Sequence, residues 1–170
     1  MSGNKVNCQN MERIILREAT EHDISQLGIY HRKMFEEIWT NESKCLDPSI
    51  CRGIEEAYVQ KLKQELLNGT CKAWVIENEN NIVASGAISI VSFVPSPHDL
   101  SSKVAYLHSI YTEKEYRNNG FANLIINKIM QYCKDYEIKR MILNASEAGI
   151  PIYEKLGFRS APDIMRLIIE

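Results

Sequence analysis

The stretch from Lys103 to Tyr136 constrains the fold more than any other part of the chain. "KVAYLHSIYT" is short and rich in branched and aromatic residues, which predicts a strand over residues 103–112. From Gly120 onward Phe121, Leu124, Ile125, Ile129, Tyr132, Cys133 and Tyr136 recur at three- and four-residue steps and trace one face of a helix. A strand that runs into an amphipathic helix through one charged loop calls for a sheet covered by helices, an α/β core.

The flanking segments fit that architecture. "RIILREAT" predicts a first strand over 13–20. Ile24, Leu27, His31, Met34 and Ile38 then mark a helix behind Asp23 as its cap, with His31 reading as a packed core histidine. "NESKCLDPSI" breaks the pattern, and Ile54, Tyr58, Leu62 and Leu66 give a second helix that stops at Asn68-Gly69. "CKAWVI" and "IVASGAISIVSF" flank a polar turn, Glu77 to Asn81, as a hairpin, and "VPSPHDLSS" is a proline-bearing loop. Downstream, "RMILNAS" predicts a buried strand, "GIPIYEKLGF" a short helix closed by Gly157, and "IMRLII" a last strand.

The 170 residues, 45% of them hydrophobic, suffice for one sizeable core and are too few for two comfortable domains, so residues 1–170 read as a single domain with 1–12 as a flexible extension. The net charge of -2, spread along the chain, provides no field to gather nucleic acid or anionic membrane. The amino terminus lacks the apolar centre of a secretion signal, and no apolar run approaches the ~20 residues of a membrane span, which predicts a soluble, cytoplasmic protein. Five cysteines without a CxxC pair suggest neither a disulfide framework nor a zinc site, and Cys133 reads as core filler. No metal is expected.

The loop Arg117-Asn118-Asn119-Gly120 has a physical reading of its own. A helix amino terminus presents unpaired N–H groups and about half a positive charge, which favour an anion. Gly120 permits close approach, and Arg117 and the two asparagines add charge and donors, so the junction is built like a pyrophosphate cradle. Asn-Asn-Gly is also ordinary turn chemistry, and Arg117 also reads as a solvated charge. Without GK[ST] or G-x-G-x-x-G, the loop matches neither an ATP nor an NAD site.

"IYTEKEYRNNGFA" resembles the acyl-CoA-binding motif of the GNAT N-acetyltransferase superfamily, R/Q-x-x-G-x-G/A, through Arg117, Gly120 and Ala122. "LNASEAGIPIYEKLGF" resembles the same family's P-x-Y-x-x-x-G-F segment through Pro151, Tyr153, Gly157 and Phe158. The resemblance covers nearly the whole chain. It implies a mixed, mostly antiparallel sheet of six to seven strands flanked by four helices, with the fourth and fifth strands splayed apart. In that family the pantetheine arm of acetyl-CoA lies in the splay and bonds to the open strand edge. Pantetheine contacts then fall on Ile110, Tyr111 and Thr112, and pyrophosphate contacts on Arg117, Asn118, Asn119, Gly120, Phe121 and Ala122. Asn144 bonds the arm from the other side, or else is a strand-end polar residue facing water.

The resemblance further implies acetyl transfer from acetyl-CoA to a primary amine of a small molecule or peptide. Tyr153 is the expected proton donor to the departing thiolate, with a packed helix tyrosine as the plainer reading. Strict alternation places Tyr106, His108, Ile110 and Thr112 on one face, which makes His108 the candidate base, against a water chain or a structural histidine. Around the first two helices Glu36, Glu37, Glu42, Asp47, Glu55 and Glu56 outnumber Lys44 and Arg52, a balance suited to a cationic amine and equally to a solvated face. Tyr30 and Trp39 read as core or as acceptor-pocket lining. A non-catalytic acyl-CoA-binding module is the alternative to an enzyme, and either a monomer or a homodimer is compatible with the sequence.

Overall fold

A computed structural model of the chain describes residues 14–44, 47–97, 99–161, 164–165 and 167–169. The expected extension over 1–12 lies outside the described residues. Strand β1 (Ile14–Glu18) leads through a 3-10 turn (Glu21–Asp23) into helix α1 (Ile24–Asn41), and helix α2 (Pro48–Leu67) follows. Then come β2 (Cys71–Asn78), β3 (Asn81–Ser92), β4 (Lys103–Thr112), α3 (Phe121–Asp135), β5 (Arg140–Leu143) and α4 (Ile150–Lys155). The strands form one sheet in the order β1-β2-β3-β4-β5, antiparallel throughout except for the parallel pair β4–β5. That pair needs a crossover, which α3 supplies.

Local chemistry accounts for most boundaries. Asp23 accepts a hydrogen bond from the Thr20 backbone N–H at 2.7 Å and closes the turn ahead of α1. Helix α2 starts within the stretch read as a break, because Asp47 caps it through the Ser49 N–H at 2.7 Å and Pro48 occupies the first turn, where its missing N–H is harmless. The β2–β3 hairpin turns on Glu79 and Asn80, both with positive φ (50° and 65°), the geometry that matches the strands' twist.

The central strands are covered on both faces, which explains their nearly continuous apolar runs. Along β2, Ala73 and Val75 join Ile24, Leu27, Tyr58 and Leu62 under α1 and α2, while Trp74 and Ile76 join Phe121, Ile125, Ile126 and Ile129 under α3. Each fully buried isoleucine of α3 contributes about 1.5–3 kcal/mol relative to exposure. Leu124 and Tyr136, expected on that buried face, are exposed at its rim. Cys133 is buried, and burial pushes its thiol up to about 11. Among the described residues no helix is long and apolar enough to cross a membrane.

Among the described residues the expected six to seven strands become five. The described residues of "IMRLII" carry no strand, and Ile164, Met165, Leu167, Ile168 and Ile169 are 67–95% exposed. A strand exists only by pairing its backbone groups with a neighbour, and among the described residues β5 pairs with β4 alone.

Two irregularities position the site. Strand β5 pairs only with Val104–Leu107, so residues 108–112 of β4 continue past it with no described strand on that side. In the same region the β3–β4 register jumps from Ala87↔His108 to Ser85↔Tyr111, so Ser109 and Ile110 together oppose Gly86. This is a β-bulge, with Ser109 in the left-handed region at φ 56°. Gly86 makes room for it: a Cβ there would fall 2.7 Å from Ile125 Cγ2 and closer still to Ile110 Cδ1.

Candidate active site

The bulge corrects the face assigned to β4. Alternation holds from Tyr106 to His108, whose rings stack at 5.9 Å, but Ser109 then stays on the α1/α2 side, where its hydroxyl lies 2.8 Å from His31 Nδ1. Ile110 turns to the opposite side and packs against the α3 cluster. Ile110 is therefore not a face-mate of His108, because the inserted residue reverses the phase of everything after it. Tyr111 returns to the α1 side, its ring 4.9 Å from that of Tyr30 and tilted 40° to it, with its hydroxyl 3.2 Å from Glu37 Oε1.

Around His108 lies a polar cluster buried between the sheet and α1/α2. His108 Nδ1 is 3.0 Å from the Ser109 hydroxyl and 3.3 Å from the Tyr58 hydroxyl, and its Nε2 is 3.1 Å from Ser89 Oγ. Ser89 in turn donates to Glu65 Oε2 at 3.5 Å, and Glu65 is ion-paired with Lys61. His31 stacks on Tyr58 with centroids 3.9 Å apart. Burial, reinforced by the positive charges of Lys61 and of His31 when protonated, holds His108 down to about 3, and burial holds His31 at about 4. His108 does not titrate near neutrality, because its charged form would have to be desolvated.

The loop ahead of α3 has the geometry its composition suggests. Asn118 (φ 65°) and Gly120 (φ 78°) are both left-handed, and Gly120 caps α3, leaving the first N–H groups of the helix directed into the loop. Gly120 is required by its φ rather than by crowding, since a Cβ there would meet nothing within 4 Å. Asn119 Nδ2 donates to the carbonyls of Tyr116 and Arg117 at 3.0 and 3.3 Å and holds the loop in shape. Arg117 is engaged: Nη2 contacts both oxygens of Glu37 at 2.9 and 2.7 Å, and Nε donates to the Thr112 carbonyl at 2.9 Å. Phe121 is buried with only its backbone toward the loop's start, while Ala122 is half-buried beside it.

Asn144 stands just past β5 and donates to the Tyr106 hydroxyl at 2.9 Å, tying the far wall of the splay to β4. Tyr153 is half-buried on α4, edge-on to Phe158 at 5.7 Å and packed against the α3-side core. Burial raises its pKa, so the phenol stays protonated. Its ring lies over Gly149, where a Cβ would come within 3.0 Å of Cε2.

The acidic surplus on α1 and α2 is mostly paired. Arg32 bridges Glu36 and Glu55 at 2.7 Å each, Arg117 holds Glu37, Lys44 holds Glu42, and Asp47 is a helix cap. The sequence count omitted Arg32, which the α1–α2 packing brings between both glutamates. Tyr30 is a core residue that donates to the Ile82 carbonyl, whereas Trp39 is half-buried under Lys44 at 5.8 Å. A surface cleft of about 660 Å³ between α1 and α2, lined by Arg32, Glu36, Cys51 and Arg52 among others, is separate from the loop before α3.

Sequence reasoning missed Ser89, Ser109 and Glu65 at this site, and it met Tyr58 only as a helix-stripe residue and Glu37 only within the acidic surplus. Ser89 and Ser109 left a trace as hydroxyls within apolar strands. Tyr58, Glu65 and Glu37 come from helices whose packing brings them to β4, β3 and the loop.

A protein from Clostridium acetobutylicum described as a predicted acetyltransferase, solved with acetyl-CoA, superposes with a TM-score of 0.82 at 26% identity over 92% of this chain and 96% of its own. A GCN5-related N-acetyltransferase from Ralstonia eutropha shares the fold at TM-score 0.82 and 20% identity, over 92% and 99% of the two chains. In sequence, the chain is 31% identical to a Trypanosoma brucei brucei glucosamine 6-phosphate N-acetyltransferase over 64 residues, 38% of this chain and 44% of that protein. It is 21% identical to human N-acetyltransferase 8 over 139 residues, 77% and 57% of the two. The chain thus spans about half the length of these curated relatives. Residues 32–158, which hold the bulge, the loop before α3 and Tyr153, match the model of the acetyltransferase (GNAT) family, and the chain belongs to that family.

Proposed function

We infer that the chain is an acetyl-CoA-dependent N-acetyltransferase that joins an acetyl group to a primary amine of a small molecule or peptide by direct attack in a ternary complex. The observation that carries this reading is the junction of an open strand edge, residues 108–112, with a left-handed loop that opens a helix amino terminus. An extended pantetheine arm fits the edge by backbone pairing, and a diphosphate fits the loop by its N–H groups. Ile110, Tyr111 and Thr112 would hold the arm, Arg117 to Ala122 the diphosphate, and Asn144 the opposite wall. The thioester of acetyl-CoA supplies the activated acetyl group.

The residues of the chain do the rest. Holding both reactants in one cleft removes much of the entropic barrier. N–H groups on the open edge of β4 would stabilise charge developing on the carbonyl oxygen, an effect worth about 3–4 kcal/mol per donor. Tyr153, kept protonated by burial, would donate its phenolic proton to the departing thiolate. His108, neutral through the physiological range, would accept the proton of the amine. The surroundings would be cytoplasmic, with neither nucleic acid nor membrane as partner, and the chain would act as a monomer or a homodimer.

The test is release of free thiol from acetyl-CoA in the presence of an amine panel that includes an amino-sugar phosphate, a polyamine, an arylalkylamine and a peptide amine. The amino-sugar phosphate earns its place through the glucosamine 6-phosphate N-acetyltransferase relative. Amine-dependent thiol release is the expected result. Tight binding of acetyl-CoA with no turnover on any amine would establish a non-catalytic acyl-CoA-binding module instead.

A further inference from the structure

The buried cluster behind the bulge continues beyond the groups that the proposed reaction needs. We propose that Ser89 and Glu65 form the outlet for the proton released by the acceptor amine, carrying it from His108 through the sheet–helix interface to the surface of α2. The proposal rests on the acetyl-transfer reading above.

The direction of the hydrogen bonds supports a one-way chain. Ser89 Oγ donates to Glu65, so its lone pair faces His108 Nε2 at 3.1 Å and Nε2 must carry the hydrogen. The lone pair of His108 is then on Nδ1, where the Ser109 hydroxyl at 3.0 Å can donate to it. With its hydrogen so used, Ser109 accepts from His31 Nδ1 at 2.8 Å. His31, Ser109, His108, Ser89 and Glu65 are therefore polarised in one sense, from α1 through the bulge of β4 to α2. The remaining polar groups at the cluster are the Tyr58 hydroxyl, 3.3 Å from Nδ1, and Lys61, ion-paired with Glu65.

The transfer balances atom by atom. As the amine nitrogen bonds to the acetyl carbon, the carbon–sulfur bond breaks and the thiolate takes the Tyr153 proton, which water replaces; the amine N–H breaks and its proton joins His108 Nδ1, displacing the hydrogen of the Ser109 hydroxyl from that lone pair. The Nε2 proton passes to Ser89 Oγ, the former Ser89 proton passes to the Glu65 carboxylate, and Glu65 releases it to water. The environment suits passage rather than storage, since burial disfavours a resting imidazolium at His108 while Glu65 keeps partial access to solvent. The Glu65 side chain is 29% exposed, whereas Ser89 is buried on β3.

Ser89→Ala and Glu65→Gln each remove one hop and leave the acyl-CoA cleft untouched. With whichever amine the wild type turns over, both variants should lose at least tenfold in kcat and show an enlarged solvent deuterium isotope effect, while KM for acetyl-CoA stays within twofold. Ser89→Thr, which keeps a hydroxyl, should retain most of the rate. Independently of turnover, ¹⁵N-histidine NMR should show His108 as the Nε2–H tautomer in the wild type and an altered tautomer balance in Ser89→Ala. Wild-type turnover with unchanged kcat in both variants overturns the outlet and leaves acetyl transfer standing. An Nδ1–H tautomer at His108 reverses the chain and also overturns the outlet. A wild type that binds acetyl-CoA and acetylates no amine overturns both readings.

Discussion

The guanidinium of Arg117 sits against the carboxylate of Glu37, with Nη2 2.9 and 2.7 Å from its two oxygens, so one side chain ties the loop before α3 to helix α1. The third bond, from Nε to the Thr112 carbonyl, fixes the end of β4 to the same point. An incoming diphosphate would compete with Glu37 for this cation. Exposed pairs of this kind are worth about 0.2–1 kcal/mol. Glu37→Gln should therefore raise affinity for coenzyme A about 1.4- to 5-fold in isothermal titration, whereas Arg117→Ala should lower it by about tenfold or more. Weaker binding by Glu37→Gln would mean that the glutamate orients the arginine for the ligand rather than competing for it.

Tyr153 separates binding from chemistry. Tyr153→Phe keeps the ring that packs on Phe158 and removes only the hydroxyl. The expected outcome is a loss of about 10²-fold or more in kcat, the size of a general-acid contribution, with coenzyme A affinity unchanged within about twofold. Equal losses in both would assign the phenol to binding.

The two half-buried histidines make the fold acid-sensitive in a defined window. Both are held below the ordinary value of 6.5, His31 at about 4 and His108 at about 3. Between about pH 4 and 6.5 the unfolded chain binds more protons than the folded one, so the stability these neutral rings contribute is complete above pH 6.5 and is lost as pH falls. Urea unfolding from pH 7 to 4.5 should show declining stability. His108→Gln should reduce that slope by up to about 1.4 kcal/mol per pH unit. The same slope in wild type and variant would show that His108 is already accessible to protons in the folded state.

Gly86 and Ile110 should be coupled. Gly86→Ala places a methyl group where Ile110 and Ile125 already stand, an overpacking expected to cost about 1–3 kcal/mol. Ile110→Val withdraws the Cδ1 atom and should recover part of that loss. A double-mutant cycle by chemical denaturation measures the coupling, and strict additivity would show that the bulge relaxes independently of both.

Most of the fold was legible because its signals are periodic and local. The stripe of α3, the hairpin around Glu79-Asn80 and the Asn68-Gly69 stop each depend on residues a few positions apart. The start of α2 was also written locally, in Asp47-Pro48, but was hidden inside a stretch that reads as a break. The last strand failed for the opposite reason: β-type composition is necessary for a strand, yet only a neighbouring strand completes one.

The sequence by itself determined an α/β chain whose loop at Arg117–Gly120 opens a helix amino terminus, because propensity, turn chemistry and the two motifs act within short stretches. Only the tertiary structure decided which side chains meet. The bulge at Ser109 turned Ile110 away from His108, helix packing set Glu37 on Arg117 and Glu65 beside Ser89, and burial took the charge from both histidines. Each of these depends on distances between residues far apart in the chain, and on the loss of water where they come together, neither of which periodicity encodes.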